Sequence, residues 1–515
     1  MRQAVSQATF ADLEFLRQGI TLDPVLAQIS RFLDDHPDLA LLVEKDLTRG
    51  LKRAKTGRPG LTAEQTLRSF ILWRIKDWPY RELRERIADG FTLRLFTRFG
   101  SRTVPKYQAF QRSFSRLRPE TVGSLNEAVV RAAVEMKIED GTKLRVDTTV
   151  VETDVRYPTD STLLYDGVRT ISRLVVEHLE AELAGVAEEF PDRRRRARRR
   201  MQEISRMRDR RGKNDRFFRR KYHDLVDVAR EVVGKAVTVV EKARAMPVSS
   251  PLQGALVDGI CQQILHYVRL TERVIDQTHR RVFSGEVVAA DEKLYSIFEP
   301  HTDLIKRGKA RKPVEFGHKV FLAESRKGFI TDYRVLDGNP PDSDHLAPSL
   351  ERHVKLFERA PKLYAGDRGF DHPDAKALGE KAGVVELCIP QRGGKLSPEQ
   401  AARQKSRSFK RGQSFRCGIE GTISVLFRGR GMKRCMLEGE QHFELFVAGS
   451  VLAANLLRLG TLLDRGVRAG VKRVTRQRLP ARRSHHPPAK TGATTHPLRA
   501  ADRARPKFPP SLHTP

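Results

Sequence analysis

Three carboxylates in this chain stand where chemistry can be done. Asp367 follows the apolar run Leu363–Ala365, which stops at Gly366; Arg368 and Gly369 come next, and a helix-like segment starts near His372. That pattern reads as a buried strand presenting an acid at its C-terminal end, the usual place for reacting groups in an open α/β sheet. Asp147 lies in a second strand-like run, Lys143–Val151, and Glu420 in Phe415–Arg428, which reads as a helix.

Acids brought together repel one another and raise the proton affinity of at least one, so a cluster of them favours a cation. Mg²⁺, with Mn²⁺ as its substitute, takes hard oxygen ligands from carboxylates, phosphate and water. Two such ions about 3.5–4 Å apart stabilise the charge that develops during in-line displacement at a phosphodiester. The separations, 367 − 147 = 220 and 420 − 367 = 53 residues, carry no information by themselves. Taken singly, Asp147 reads equally as a solvent-facing strand residue, Asp367 as a turn cap and Glu420 as a surface helix residue.

Composition narrows the substrate. Lysine and arginine number 96 against 64 aspartates and glutamates, a net charge of +32 over 515 residues, which points to a polyanion. Hydrophobic residues make up 39%, enough for a core. No membrane-spanning run and no apolar leader are expected. The cysteines 261, 388, 417 and 435 have no metal-ligand spacing and read as ordinary buried thiols of a reducing cytoplasm.

The elements that must position the acids follow in order. Residues 1–58 read as helical, with Leu13, Leu16 and Ile20, then Val25, Ile29 and Phe32, and end in a basic linker from Lys52 to Arg58. Residues 59–140 form a helical module. Thr62 is its N-cap, and helices are expected over Gln65–Lys76, Tyr80–Ala88, Tyr107–Leu117 and 119–140. With Arg81, Arg84, Arg86, Arg112 and Arg116 outward, it suits a helix-turn-helix-like DNA reader, or equally a helical bundle with a solvated basic face. After the Asp147 strand, residues 153–164 read as a polar loop and 166–284 as a helical insertion. The run Arg193–Lys221 is too one-sided for i,i+4 ion pairs and is expected to track phosphates. Past Gly285, strands are expected at Leu294–Phe298, His318–Glu324, Phe329–Leu336 and Val384–Ile389, and helices at Leu346–Phe357, 373–382 and Phe443–Leu463. A basic loop spans Lys306–Pro313, and Ser325–Gly328 makes a hairpin turn. The fold class is α/β: a mixed sheet with flanking helices, formed by 141–165 and 285–465. Residues 466–515 read as a disordered basic tail; 471–515 hold 11 lysines and arginines against one acid, Asp502.

The runs Leu144–Thr153 with Tyr157–Ser161, Tyr364–Phe370 and Arg416–Leu426 together resemble a DDE-class insertion-sequence transposase, similar to the ISNCY-type group, over roughly residues 10–465. The resemblance implies a ribonuclease-H-like core, Mg²⁺ dependence, cleavage and strand transfer on double-stranded DNA, binding to the element's terminal inverted repeats and target DNA, and a homodimer. By matching position, Asp147, Asp367 and Glu420 would be the metal-binding triad. Arg416, one helical turn before Glu420, would pair with phosphate or steady the glutamate. Arg428, Lys319 and Arg368, with Arg81, Arg84 and Arg112, complete the expected DNA contacts. Two positions depart from the related Y-x2-R-x3-E-x6-K pattern: Gln413 stands for its tyrosine and Phe427 for its lysine. The alternative is a transposase-derived DNA-binding protein whose chemistry is impaired.

Overall fold

A computed structural model of the chain describes residues 21–52, 60–207, 215–306 and 313–478. Leu13, Leu16 and Ile20, most of the basic linker, the basic loop after Lys306 and the tail after Arg478 lie outside them. Residues 1–465 make one compact unit and 466–515 a second.

Among the described residues seven helices come first: α1 Pro24–Asp35, α2 Asp38–Thr48, α3 Ala63–Lys76, α4 Tyr80–Asp89, α5 Phe91–Phe96, α6 Tyr107–Phe114 and α7 Pro119–Glu135. Thr62 and Gln65 form the reciprocal capping pair at the start of α3, each side chain meeting the other's backbone N–H at 3.1 Å. These helices bury one apolar core together with Leu445, Leu452 and Leu456 of the long helix α16, Glu440–Arg478. Arg74 is buried in that contact, bonded to Ser450 at 3.0 Å and stacked on Phe446, and burial lowers its basicity to about 10. Arg116, expected outward, instead donates to the carbonyls of Leu47 and Arg49 and ties α6 to α2.

The sheet has seven strands: β1 Lys143–Thr153, β2 Asp303–Lys306, β3 Val314–Ser325, β4 Ile330–Leu336, β5 Leu363–Ala365, β6 Glu386–Cys388 and β7 Arg434–Cys435. Its order is β2-β3-β1-β5-β6, with β4 also on β3 and β7 also on β1. β3 runs antiparallel to β1, β2 and β4, whereas β5, β6 and β7 run parallel to their partners. The sheet is therefore mixed and open. One face packs Leu144, Val146, Phe321 and Ala323 against α12, Leu346–Phe357. The other packs Val151, Val320 and Leu322 against α15, Arg407–Gly429, and against α16. The shorter helices α13, Ala375–Ala382, and α14, Pro398–Lys405, complete this part.

Between β1 and β2 stand α8 Asp160–Arg173, α9 Arg194–Met207, α10 Asp215–Ala245 and α11 Pro251–Thr278, which bury a core of their own. The expected loop ends early because Thr159 caps α8. Leu294–Phe298 is no strand. The backbone of Leu294 bonds the side chain of Gln277, donating at 2.9 Å and accepting at 3.3 Å, so its hydrogen bonds go to a helix rather than a ladder.

Two further expectations change, and α16 bears on a third. α16 contains a stretch long and apolar enough to cross a membrane, yet 72% of it is buried: it packs on the N-terminal helices by one side and on the sheet by another. Helix, not a tail, continues to Arg478. Part of the Arg193–Lys221 run is ion-paired: five of its twelve described cations meet acids. Arg193 meets Glu231, Arg194 meets Glu177 and Asp192, Arg196 and Arg200 meet Asp224, and Lys221 meets Glu203. Most of those acids come from other segments, which a count within one helix cannot find.

Candidate active site

Asp147 sits mid-strand on β1, opposite Leu322 of β3. Side chains alternate along a strand, so Asp147 shares its face with Arg145 and Val151, the face that α15 covers. The parallel ladder between β1 and β5 pairs Lys143 with Leu363, Leu144 with Tyr364 and Arg145 with Ala365, a constant offset of 363 − 143 = 220. Asp367 stands two residues past Ala365. Extending the same offset, 367 − 220 = 147, sets it level with Asp147 on the neighbouring strand. Asp367 accepts the Gly369 amide at 2.8 Å, which turns the chain into the buried Phe370. Both aspartates are half-buried.

α15 is pinned over these strand ends by contacts that need particular residues. The Gln413 amide donates to the carbonyls of Gly366, at 3.1 Å, and Cys388, at 2.6 Å, the tips of β5 and β6. Arg145 forms a two-point ion pair with Glu324 at 2.9 and 2.7 Å, with Glu324 1% exposed, and donates to the Phe415 carbonyl at 2.8 Å. Gly418 passes so close that a Cβ there would overlap the Arg145 guanidinium, and one at Gly412 would overlap Cys388. The glycines in this stretch are thus seats for the sheet. Phe427 packs into the apolar face where the related pattern has lysine, while Arg428 is exposed and bonded to Ser424 at 3.0 Å.

Glu420 is 63% exposed and paired with Arg416 at 2.9 Å. Arg416 is 15% exposed, and its Nε is buried without a partner. Among the described residues no three His, Cys, Asp or Glu side chains are gathered to hold a metal ion. The oxygen-only donor set of Asp147, Asp367 and Glu420 fits a hard divalent cation in chemistry. Asp147 lies on β1 and Asp367 two residues past the end of the neighbouring strand β5, and Glu420 must leave Arg416 to join them.

Residues behind Asp367 were not legible as a site. Asp342 accepts from Thr148 Oγ1 at 3.0 Å and from the Lys319 ammonium at 2.7 Å. A Cβ at Gly369 would stand 2.7 Å from an Asp342 oxygen and 3.0 Å from an Asp367 oxygen, so the two carboxylates are at most 2.7 + 3.0 = 5.7 Å apart. Lys319 is thus committed to Asp342 and to the Pro340 carbonyl, at 2.6 Å, and lies mostly buried. Arg368 is exposed beside Asp367. Arg81, stacked on Tyr107, and Arg112 are exposed on α4 and α6, with Arg84 partly so. Cys417, expected buried, is exposed on α15; the other three thiols are buried.

A cavity of about 310 Å³ opens instead between the helical insertion and the sheet, lined by Tyr157, Phe218, Tyr295 and Phe316 and by none of the three acids. Comparison with protein-family models, with curated proteins and with solved structures finds no match for this chain.

Proposed function

We propose that the chain is a metal-dependent DNA strand-cleaving and strand-joining enzyme of the DDE transposase type, acting as a homodimer in the cytoplasm on the inverted repeats that end its own element. The observation that carries this reading is the parallel β1–β5 register, which continued two residues past Ala365 brings Asp367 level with Asp147, beneath the helix that bears Glu420. An antiparallel β4-β3-β1 run followed by parallel β5 and β6 supports a ribonuclease-H-like core. The net charge supports a nucleic-acid substrate.

On this reading Asp147, Asp367 and Glu420 hold Mg²⁺, which when bound neutralises charge developing on the scissile phosphate. Arg416 releases Glu420 and turns its guanidinium to a phosphate oxygen, a pairing its fork geometry suits. Gln413 keeps α15 fixed against the strand tips while this exchange occurs. Arg368 and Arg428 flank the strand being cut, and Arg81, Arg84 and Arg112 grip duplex further along.

The assay is nicking of a labelled duplex carrying the element's end, beside a gel shift on the same DNA. Cleavage should need Mg²⁺ or Mn²⁺ and fail in Ca²⁺. Asp367→Asn and Glu420→Gln should cut slower by orders of magnitude, since several kcal/mol are at stake and ~1.4 kcal/mol is tenfold in rate, while binding holds or rises. Variants that cut as well as wild type would remove the triad. A second reading, a binder without chemistry, is favoured by the Arg416–Glu420 pair and by Phe427, partly buried against the core. Tight binding with no cutting in either metal would establish it.

A further inference from the structure

Farther along the acid-bearing face, where His318 stands opposite Val151, a mostly buried chain of titratable groups joins the β2–β3 edge to the start of α16. Glu299 Oε2 lies 2.7 Å from His301 Nε2, His301 Nδ1 lies 2.7 Å from His318 Nε2, and His318 Nδ1 lies 3.0 Å from Asp303 Oδ2. The two imidazoles are parallel within 3°, their centroids 5.0 Å apart, and Phe443 of α16 sets its ring edge-on to both. Glu299 also accepts the Gly439 amide, at 3.0 and 3.3 Å, just ahead of α16. Asp303 accepts the Gly338 amide at 3.0 Å. The side chains of His301, His318 and Glu299 are 9%, 6% and 6% exposed.

Counting protons decides what this chain is. Three hydrogen bonds in series need three protons. Two neutral imidazoles supply two, and two carboxylates supply none. If each imidazole donates outward to its carboxylate, two nitrogen lone pairs face each other at 2.7 Å. If both donate in the same direction, one carboxylate faces a lone pair. Either arrangement leaves buried polar atoms opposed, which is costly where water is excluded.

We propose that Glu299, His301, His318 and Asp303 hold one proton beyond those of two neutral imidazoles, and that this shared proton latches the chain's return from the helical insertion into the sheet onto the start of α16. The folded protein then binds one more proton than the unfolded chain above about pH 6.5, the ordinary histidine value. Stability falls as pH rises, by up to tenfold in the unfolding constant per pH unit. Other titratable groups bear on the cluster: Glu444 from α16, Glu438 ahead of it, Cys435 from β7, Tyr295 from the return segment and Tyr267 from α11. Burial pushes Cys435 and Tyr295 up to about 12, above the range to be tested. The remaining groups are common to wild type and variant.

Urea unfolding of the full chain from about pH 6.5 to about pH 9 tests the latch. Glu299→Gln supplies an N–H to His301, so all three bonds can run in one direction with neutral rings, while its oxygen still faces Gly439. Its pH slope should be flatter than that of wild type, by up to tenfold in the unfolding constant per pH unit. Nitrogen NMR of the histidine rings near neutral pH should show a ring protonated at both nitrogens in wild type and not in the variant. Equal slopes, or no such ring, would overturn the proposal. So would a stoichiometric rise in the unfolding midpoint on adding Zn²⁺ that His301→Ala abolishes, since the facing nitrogens would then be metal ligands. If Glu299→Gln fails to fold, the wild-type spectrum decides alone.

Discussion

Two clusters of titratable groups share one sheet and are built in opposite ways. On the acid-bearing face Asp147 and Asp367 are half-buried and Glu420 is exposed; Asp367 is met by a backbone amide and Glu420 by an arginine one turn away. At the β2–β3 edge all four ring nitrogens of His301 and His318 are engaged within a chain closed by Glu299 and Asp303. The first cluster can exchange a partner for a ligand without opening the core. The second cannot. Titratable groups mark a reactive site when they are accessible and only partly satisfied, and a structural one when they are buried and satisfy one another.

The largest effect expected from breaking this contrast is on the open cluster. Asp147→Asn should lower DNA nicking by orders of magnitude and shift the unfolding midpoint little. A loss of cooperative melting would show that Asp147 belongs with the structural acids. Next comes the buried ion pair beneath α15. Glu324→Gln leaves Arg145 without its charge partner, and removal of one member of a buried pair costs about 3–5 kcal/mol. Urea unfolding measures it, and a change below about 1 kcal/mol, the exposed-pair range, would mean that the pair is solvated.

Slightly smaller is a pH effect of opposite sign to the histidine latch. His353 is a buried residue of α12 with Nε2 on the Gly141 carbonyl at 2.9 Å, and burial lowers its pKa to about 4. Its unfolded value is about 6.5, so the unfolded chain takes up the proton first. Its share of stability is intact above about pH 6.5 and is lost as pH falls toward 4, by about 3 kcal/mol in all. His353→Gln should flatten that acid limb; an unchanged limb would move the cause elsewhere. The smallest effect concerns the insertion. Arg195, Arg198 and Arg199 are exposed and make no ion pair among the described residues, unlike Arg193, Arg196 and Arg200. Neutralising the first three should reduce the slope of log affinity against log salt by about 0.9 per lost phosphate contact, with less change for the second three. Equal effects would return the whole run to the DNA.

Much of the fold was legible in local pattern. The hairpin Ser325–Gly328, the α12 span Leu346–Phe357 and the Thr62 capping pair follow from turn chemistry, periodicity and cap residues. The strand expected at Leu294–Phe298 was not, because Gln277, distant in sequence, takes its backbone bonds. Nor was the pairing of the arginine run, whose acids sit on neighbouring segments.

For the site the division is similar. Residue type and local pattern determined which acids end or occupy strands and which lies on a helix, because period and turn residues act over a few positions. Only the tertiary structure decided that β5 lies beside β1 with an offset of 220, that Gly418 must leave room for Arg145, and that Lys319 serves Asp342. Those facts depend on contacts between residues far apart in the chain, where packing of the two sheet faces, rather than any local preference, selects the partner.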